Sequence, residues 1–363
     1  MMNIEEITDR FDIPHHVTSI EPYGNGHIND TYLVRCQNAL EFNYLLQKVN
    51  HNVFKNIEGL MNNIAVVTSH IRAKLLESKI QDVERRSLEL IKTKNGHLYI
   101  EEDGQFWRVF NFIEDHKVYD GAPNKEIAYE GARMFGQFLH QLSDLDPLGI
   151  VDTIPNFHNI KYRLSNLEEA IKADPLRRVC CLDKEIEYVR SRYEIMSVIQ
   201  NLGEKKLLTP RIVHNDTKIN NVLFDHDNKG LCVVDLDTIM PGFVHYDFGD
   251  GIRTCANTGA EDDEDLKNIE YDLDIIKAYS AGFIDSIHSI LNRDERSTLA
   301  HAALLFPFIM GVRFLTDYIS GDVYYKVEHT HHNYFRARAQ LKLTQDGETK
   351  LEEIQQIVDG CFI

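Results

Sequence analysis

The sequence lacks the features that mark disulfide-rich, zinc-binding or nucleic-acid-binding proteins. Its six cysteines form no C-x-x-C pair and do not lie at zinc-site spacing with histidines. No basic run stands out, and 39 Lys and Arg against 57 Asp and Glu give a formal net charge of −18. Because binding to nucleic acid depends on Lys and Arg that neutralise phosphates, this balance argues against nucleic acid as a partner.

Targeting and membrane signals are missing as well. The N-terminus has no basic start followed by an apolar stretch, and no apolar run reaches the roughly 18 residues of a membrane-spanning helix. These absences predict a cytoplasmic protein with reduced thiols and no membrane partner. The 363 residues exceed the size at which one hydrophobic core stops growing, so two domains are expected. The oligomeric state stays open.

The N-terminal third has the pattern of short strands joined by tight turns, with one helix inserted. Strands are predicted at 16–23, 31–36 and 41–49, and again in a meander between 87 and 113. Apolar residues at steps of three or four from 57 to 78 predict the helix. Residues 1–112 are therefore expected to form an N-terminal lobe with a five-stranded, mostly antiparallel sheet and one helix.

The rest of the chain has a different pattern. Residues 113–123 are polar, contain Gly and Pro, and are expected to be a hinge. Helices are predicted at 126–142, 162–173, 184–202, 266–291, 296–319 and 350–358, with two short strands near 221–235. Pro307 predicts a kink or a break in the fifth helix. The sequence thus predicts an α+β protein whose C-terminal lobe, 124–363, is larger and mainly helical.

The segment from 213 to 237 carries the most informative polar residues. Two short apolar runs joined by a turn at 227–230 predict a hairpin, which would bring Asp216, Asn221, Asp235 and Asp237 together at its open end. Phosphoryl transfer needs a carboxylate to orient a hydroxyl, and Asn and carboxylate oxygens to hold Mg²⁺ on nucleotide phosphates. The alternative is that these residues cap turns around a solvated loop.

The spacing within this segment is that of a kinase catalytic loop. His214, Asp216 and Asn221 fit the pattern H-x-D-x-x-x-x-N, and Asp235 follows where that fold has its metal-binding Asp. The segments HNDTKINN, VVDLDTIMPG and YDFGDGIR resemble those of the aminoglycoside phosphotransferase and choline kinase superfamily, which has a protein-kinase-like two-lobe fold.

Three more segments are similar to the N-acetylhexosamine 1-kinases within that superfamily: EPYGNGHINDTYLV, WRVFNFIE and MGVRFLTDYISGDVYYKV. The resemblance extends over most of the chain. It implies an enzyme that uses ATP and Mg²⁺ to phosphorylate the anomeric hydroxyl of N-acetylglucosamine or N-acetylgalactosamine. It also implies that Asp216 is the catalytic base and that Asn221 and Asp235 bind Mg²⁺. For Asp237, metal binding and sugar binding both stay open.

The nucleotide site follows from the same resemblance. The turn Gly24, Asn25 and Gly26 would lie over the ATP phosphates, where missing side chains let backbone N–H groups approach. Without the resemblance it would be only a hairpin turn. Asn111, Phe112 and Ile113 match the hinge whose backbone contacts adenine, and would otherwise be ordinary core residues.

Sugar contacts are implied for His27, Asn29, Arg313 and Tyr324, in addition to Asp216 and Asp237. For Arg313, a salt bridge to Asp317 at i+4 is an equal alternative. Farther along the chain, Asp247 and Asp250 are expected to brace the catalytic loop through hydrogen bonds.

One position departs from the kinase pattern. Kinases of this fold usually place a Lys on the third strand to hold the α- and β-phosphates, and here Gln47 takes that position. Lys48 points to the opposite face of the strand and cannot replace it without a bulge. Gln47 supports one alternative function, a silent nucleotide-binding interaction module. A second alternative also stays open: a kinase for another small hydroxyl compound, such as an amino alcohol, another sugar or an aminoglycoside.

Overall fold

The computed structural model describes residues 3–24, 28–37 and 42–362. It confirms the α+β class, with an antiparallel sheet near the N-terminus followed by a larger helical part. The strands are β1 (Val17–Pro22), β2 (Asp30–Cys36), β3 (Tyr44–Val49), β4 (Leu90–Ile91), β5 (Ile100–Glu102), β6 (Gln105–Asn111), β7 (Arg211–Val213), β8 (Val222–Phe224), β9 (Gly230–Val233) and β10 (Met240–Gly242).

Helices make up most of the remaining regular structure. They are α1 (Ile4–Thr8), α2 (Ile57–Glu77), α3 (Val83–Arg86), α4 (Lys125–Gln141), α5 (Ile160–Ala173), α6 (Asp183–Ser191), α7 (Tyr193–Met196), α8 (Val198–Glu204), α9 (Val244–Cys255), α10 (Leu273–Ile287), α11 (Arg293–Thr298), α12 (Ala302–Ser320) and α13 (His332–Gly360). The sequence predicted three regions poorly. Helix α9 was not predicted at all, and the stretch 184–202, predicted as one helix, is three short ones. Helix α13 is 29 residues long where only its end was predicted.

The chain divides into two compact units. The sheet unit comprises Met1–Val118, Phe138–Pro155 and Asn221–Pro241, and the helical unit comprises Tyr119–Gln137, Asn156–Asn220 and Gly242–Ile363. Each unit has an apolar cluster of its own. The β8–β9 hairpin therefore belongs to the same unit as the N-terminal sheet, although about 110 residues of chain separate β6 from β8.

The sheet of the first unit has six strands rather than the expected five. Its order is β1-β2-β3-β6-β4, and β5 pairs with β6 beside this path. The three-residue β5 lies within the predicted meander, and a tight turn connects it to β6. Asp103 and Gly104 in that turn have φ of 50° and 70°, which a two-residue hairpin turn with positive φ requires.

Helix α2 covers this sheet unit as the apolar spacing predicted. It starts at Asn56, whose side chain accepts from the backbone N–H of Gly59, and it buries Leu60, Ile64 and Val67. Asn63 also lies on the buried face, and its amide donates to the carbonyls of Val151 and Ile239. The helix therefore fixes, by polar contacts, the segment that follows the β8–β9 hairpin.

The core of the helical unit is α12, and Pro307 does not break it. The interruption falls earlier, at the 3₁₀ turn Leu299–His301, and Pro307 lies inside the continuous helix. A proline lacks the N–H that would bond the carbonyl four residues before it, here Ala303. The buried hydroxyl of Tyr271 donates to that carbonyl at 2.7 Å. This partner explains why the helix continues.

The stretch 293–320, which contains α12, is long and apolar enough to cross a membrane by length and composition. However, 78% of its most apolar window is buried inside the protein. We therefore interpret it as a core helix.

Candidate active site

The β8–β9 hairpin brings the two predicted metal ligands to one end. Val222 pairs with Val233, and the N–H of Val234 donates to the carbonyl of Asn221 at 2.9 Å. Asn221 and Asp235 therefore flank the last pair of the ladder. Asn221 is buried, whereas Asp235 is exposed and has left-handed backbone angles, with φ 59° and ψ 62°.

This pair suits a metal that arrives with a nucleotide. In the described residues no group of three or more His, Cys, Asp or Glu side chains is placed to hold a metal ion. Magnesium is commonly held by one or two carboxylates together with substrate phosphates, rather than by an all-protein cage. One amide oxygen and one exposed carboxylate fit that type of site.

Asp237 lies two residues further on and is buried in a polar network of the sheet unit. Arg108, from β6, donates to its Oδ1 at 2.5 Å, and Asn29 donates to its Oδ2 at 2.7 Å. Asn29 in turn accepts from the backbone N–H of Asn50. Two residues with a predicted role in sugar binding, Asn29 and Asp237, are thus brought together and bind each other.

Gln47 occupies the third-strand position where a Lys was expected, and it faces Arg108. The two residues are direct partners in the β3–β6 register. The Oε1 of Gln47 accepts from Nε and Nη2 of Arg108 at 3.0 and 2.8 Å, and its Nε2 donates to the hydroxyl of Thr31. Arg108 was not among the predicted site residues, because in the sequence it is a single charged residue within an otherwise apolar part of a strand.

The glycine turn is only partly described. Gly24 has φ 72° and open space around its Cα, as a turn with positive φ allows. Asn25, Gly26 and His27 lie outside the described residues, so their predicted contacts stay predictions.

The predicted hinge segment continues directly from β6. The N–H of Asn111 donates to the carbonyl of Glu89, and the N–H of Phe112 donates to the carbonyl of Asn43. The carbonyl of Ile113 accepts from His116 Nδ1 at 2.5 Å. Adenine would therefore have to contact other backbone groups of this segment.

In the helical unit, two buried carboxylates brace the loop that carries Asp216. Asp247 accepts from the backbone N–H groups of His214 and Asn215 at 2.9 and 2.7 Å. Asp250 accepts from the N–H of Thr217 at 3.0 Å. These contacts confirm the bracing role that the sequence predicted.

The two bracing residues differ in their electrostatics. Asp250 is paired with the buried guanidinium of Arg253. Burial raises the pKa of Asp247 to about 6, against the opposing effect of His214 and of its two N–H donors. The loop is therefore held by two different carboxylates. The charge of Asp250 is neutralised by a buried guanidinium, whereas burial has raised the pKa of Asp247 toward neutral.

Asp216 itself forms an ion pair with Lys218 at 3.1 Å. The carboxylate of Asp216 raises the pKa of Lys218, so the ammonium is held in its charged form. Lys218 was not among the predicted site residues, although its position two residues after the proposed base is visible in the sequence. Lys218 also borders a cavity of about 630 Å³ within the helical unit, lined further by Arg253, Glu261, Gln340 and the segment 119–123.

Arg313 lies among aromatic rings and not beside a carboxylate. Its guanidinium carbon is 4.9 Å from the centre of the Phe157 ring, 5.5 Å from that of Tyr325 and 5.9 Å from that of Tyr324. The salt bridge to Asp317, offered as an alternative, is wrong. Asp317 instead accepts three backbone N–H groups, from residues 323–325, and the amide of Asn333.

We call Phe157, His158, Arg163, Arg313, Tyr324 and Tyr325 the arginine–aromatic cluster. Arg163 donates to the carbonyl of Phe157, and burial, followed by the charge of Arg313, lowers its pKa to about 10. Tyr324 is 56% exposed, and the buried hydroxyl of Tyr325 has no hydrogen-bond partner among the described residues.

This cluster is connected to the loop that carries Asp216. His158 packs against Phe157, and its Nε2 lies 3.1 Å from the carbonyl of Asn215, next to Asp216. Burial, and then the charge of Arg313, lowers the pKa of His158 to about 3, so the ring is neutral. The helical unit thus brings together Asp216, Arg313 and Tyr324 from the predicted site.

A sequence model described as "phosphotransferase enzyme family" (APH) matches residues 19–279, which is more than half of the chain. Structural comparison agrees in fold. An aminoglycoside phosphotransferase from Alicyclobacillus acidocaldarius is similar with a TM-score of 0.60 and 10% identity, over 99% of this chain and 97% of that one.

Two further structures are similar to the same extent. A spectinomycin phosphotransferase solved with ADP and spectinomycin gives a TM-score of 0.57 at 12% identity, covering 96% of this chain and 97% of that one. A microcompartment-associated aminopropanol kinase gives 0.55 at 12% identity, covering 97% of each chain. At such identities the likeness shows a common fold.

Proposed function

Because the chain belongs to the phosphotransferase enzyme family, we propose that it transfers the γ-phosphoryl group of ATP to the anomeric hydroxyl of an N-acetylhexosamine. N-acetylglucosamine and N-acetylgalactosamine are the proposed acceptors, and the product is the sugar 1-phosphate. The sequence resemblance supports the substrate class. The arginine–aromatic cluster is the single structural observation that favours it over an amine.

We assign residues to the acceptor, to the metal and to the nucleotide. Asp216 orients the acceptor hydroxyl and receives its proton, with Lys218 holding the carboxylate in place. Asn221 and Asp235 would hold Mg²⁺, which supplies positive charge against the phosphates when it is bound. Gly24 and the hinge residues Asn111, Phe112 and Ile113 would contact the nucleotide.

The charge of the arginine–aromatic cluster supports one class of acceptor over the other. In the described part of the chain, neither Arg313 nor Arg163 has a carboxylate within ion-pair distance. Two guanidinium groups without an acidic partner repel an ammonium group and offer N–H donors to hydroxyl and carbonyl oxygens. An amino alcohol or an aminoglycoside is therefore disfavoured, and a neutral sugar with an N-acetyl carbonyl is favoured.

The cluster also has the surfaces that a sugar needs. The exposed ring of Tyr324 offers an apolar face, and the unpartnered hydroxyl of Tyr325 offers a hydrogen-bonding group. Tyr325 and Arg313 lie side by side, so both could bind the same ring substituent. A buried polar atom without a partner is costly unless a ligand or water satisfies it.

The direct test is to incubate the protein with ATP, Mg²⁺ and each N-acetylhexosamine and to follow the product by ³¹P NMR. We expect a sugar 1-phosphate, recognised by coupling of phosphorus to the anomeric proton. A 6-phosphate, or faster transfer to an amino alcohol, would overturn the substrate assignment. ATP binding without transfer to any acceptor would instead favour the silent interaction module.

A further inference from the structure

We propose that Arg108 is a positioning residue for the nucleotide and its metal, in place of the missing third-strand Lys. The inference rests on the proposed ATP-dependent function. It deepens that function by assigning a role to the hydrogen-bonded group Gln47, Arg108, Asp237 and Asn29, which we call the Arg108 network.

The charged pair of the Arg108 network is buried, whereas Gln47 and Asn29 are partly buried. The side chain of Arg108 is 2% exposed and that of Asp237 is 4% exposed. Burying two opposite charges costs desolvation energy, which close pairing and additional hydrogen bonds must offset. Gln47 and Asn29 supply those hydrogen bonds, one on each side of the ion pair. Such an arrangement fixes the position of both charged groups.

Asp237 transmits this position to the proposed metal ligand. It lies two residues after Asp235, and its backbone carbonyl accepts from the hydroxyl of Thr153. The carboxylate is held by Arg108 and Asn29 while the backbone is held by Thr153. The turn that presents Asp235, with its left-handed backbone, is therefore anchored directly behind the ligand.

The identity of residue 47 follows from the same geometry. Gln47 and Arg108 are directly opposite in neighbouring strands, where the Cβ atoms of such a pair are about 5 Å apart. A Lys at position 47 would place a second cation against the guanidinium, whereas the Gln carbonyl accepts from two of its nitrogens. Gln47 and Arg108 thus form one arrangement, in which the cation of this strand pair lies on β6 and not on β3.

Arg108 acts through Asp237 and not by touching phosphate, since it is almost entirely covered. Its loss should therefore affect nucleotide and metal binding more than acceptor binding. Groups that orient a metal ligand in this way typically change metal affinity by about 10- to 100-fold when they are mutated.

The decisive variants remove the ion pair without leaving a buried charge. Arg108→Gln alone leaves Asp237 as a buried charge without its partner, which could prevent folding. We therefore combine it with Asp237→Asn. We expect this double variant to melt close to the wild type but to bind MgADP about 10-fold more weakly by calorimetry. The KM for ATP should rise by a similar factor.

A relocation variant tests the exchange of positions. Gln47→Lys alone should lower the melting temperature, because two cations then face each other. Gln47→Lys combined with Arg108→Gln returns the cation to β3, and we expect it to recover both the melting temperature and MgADP binding. The control is Arg35→Gln, which removes an exposed arginine of the neighbouring strand β2 and should change neither.

The outcomes separate the two proposals. If the wild type binds MgADP and the neutral double variant binds it equally well, Arg108 has no positioning role, whatever the acceptor proves to be. If MgADP binding falls as expected but no hexosamine is phosphorylated, the Arg108 assignment stands and the substrate proposal fails. A wild type that binds no MgADP would overturn both.

Discussion

At the residue scale, the proposed chemistry depends most on Asp216. We expect Asp216→Asn to reduce transfer by about 10²- to 10⁴-fold, the usual contribution of a positioned base, since an amide cannot accept the proton. Binding of MgADP should persist because the predicted metal ligands are unchanged. Initial-rate assays with calorimetry check both. Asp227→Asn, in the exposed hairpin turn, is the matched control, and an Asp216→Asn variant with normal rates would remove Asp216 from the mechanism.

Arg313 carries the second residue-scale prediction. Arg313→Ala should raise the KM for the acceptor by about 10- to 100-fold, the worth of hydrogen bonds to a charged donor, and leave the KM for ATP unchanged. Steady-state kinetics with each substrate varied separates the two constants. The control is Arg190→Ala, an exposed arginine paired with Glu168. An equal rise in both constants would indicate general damage instead of a lost acceptor contact.

The residues that the sequence predicted for the site are those that lie close together in the chain. Asp216, Asn221 and Asp235 follow a fixed spacing around one hairpin, and Asp247 and Asp250 lie close after it. Arg108 could not be found in this way, because its partner Asp237 lies 129 positions away in the chain. The predicted Arg313–Asp317 salt bridge was wrong for a related reason. The i+4 spacing in a helix says nothing about the loop that follows, and the backbone N–H groups of that loop donate to Asp317.

At the element scale, Asp317 connects the end of α12 to the loop that carries Tyr324. Asp317→Asn keeps the size of the side chain but removes one oxygen that accepts N–H groups. We expect a loss of roughly 1–3 kcal/mol in unfolding free energy, the cost of unsatisfied buried donors, with faster hydrogen exchange in residues 323–325. The acceptor KM should rise because Tyr324 loses its position.

Thermal melting, hydrogen exchange and acceptor kinetics together check this expectation. Asp274→Asn, which removes an exposed ion pair with Lys125, serves as the control and should leave all three unchanged. Normal exchange in the loop of the Asp317→Asn variant would show that Asp317 does not hold it.

Element boundaries were predictable where burial is apolar and periodic. Helix α2 has that pattern and was predicted within a residue or so at each end. Helix α13 does not, because its buried face includes His332, Asn333, Gln340 and Thr344, so no apolar period marks its first four turns. Polar residues that are buried and satisfied by tertiary contacts look like surface residues in the sequence.

At the scale of the whole molecule, two buried histidines should make the protein sensitive to acid. Burial is the main cause that lowers the pKa of both His158 and His245 to about 3. The unfolded chain takes up protons near pH 6.5, whereas the folded protein takes them up only near pH 3. Each histidine therefore contributes stability that is complete above pH 6.5 and is lost as the pH falls toward 3.

Urea unfolding at pH 7.5 and pH 4.5 measures this effect. We expect each histidine to account for roughly 2–3 kcal/mol of the lost unfolding free energy at pH 4.5. His245→Gln, which stays neutral and can still contact Thr298, should reduce the loss. His288→Gln, at an exposed position, should not. An unchanged pH dependence in His245→Gln would assign the acid sensitivity to other groups.

The fold class could be predicted from the sequence, but which segments belong to which compact unit could not. The change from strand to helix patterns predicted a sheet-containing part followed by a helical part. That the β8–β9 hairpin would join the compact unit of the N-terminal sheet depends on contacts such as Arg108 with Asp237, between distant parts of the chain. The charge of −18 predicted nothing of this, since net charge bears on solubility more than on fold.

The contact between Tyr271 and Ala303 also constrains how this sequence can change over evolution. If Pro307 is replaced by Ala first, the protein should tolerate the change. The new N–H and the hydroxyl of Tyr271 can each donate to one of the two lone pairs of the Ala303 carbonyl. Replacing Tyr271 by Phe first leaves that carbonyl buried and unsatisfied, at a cost of about 1–3 kcal/mol. The two positions are thus epistatic, and the order in which they mutate determines which intermediate sequences remain viable.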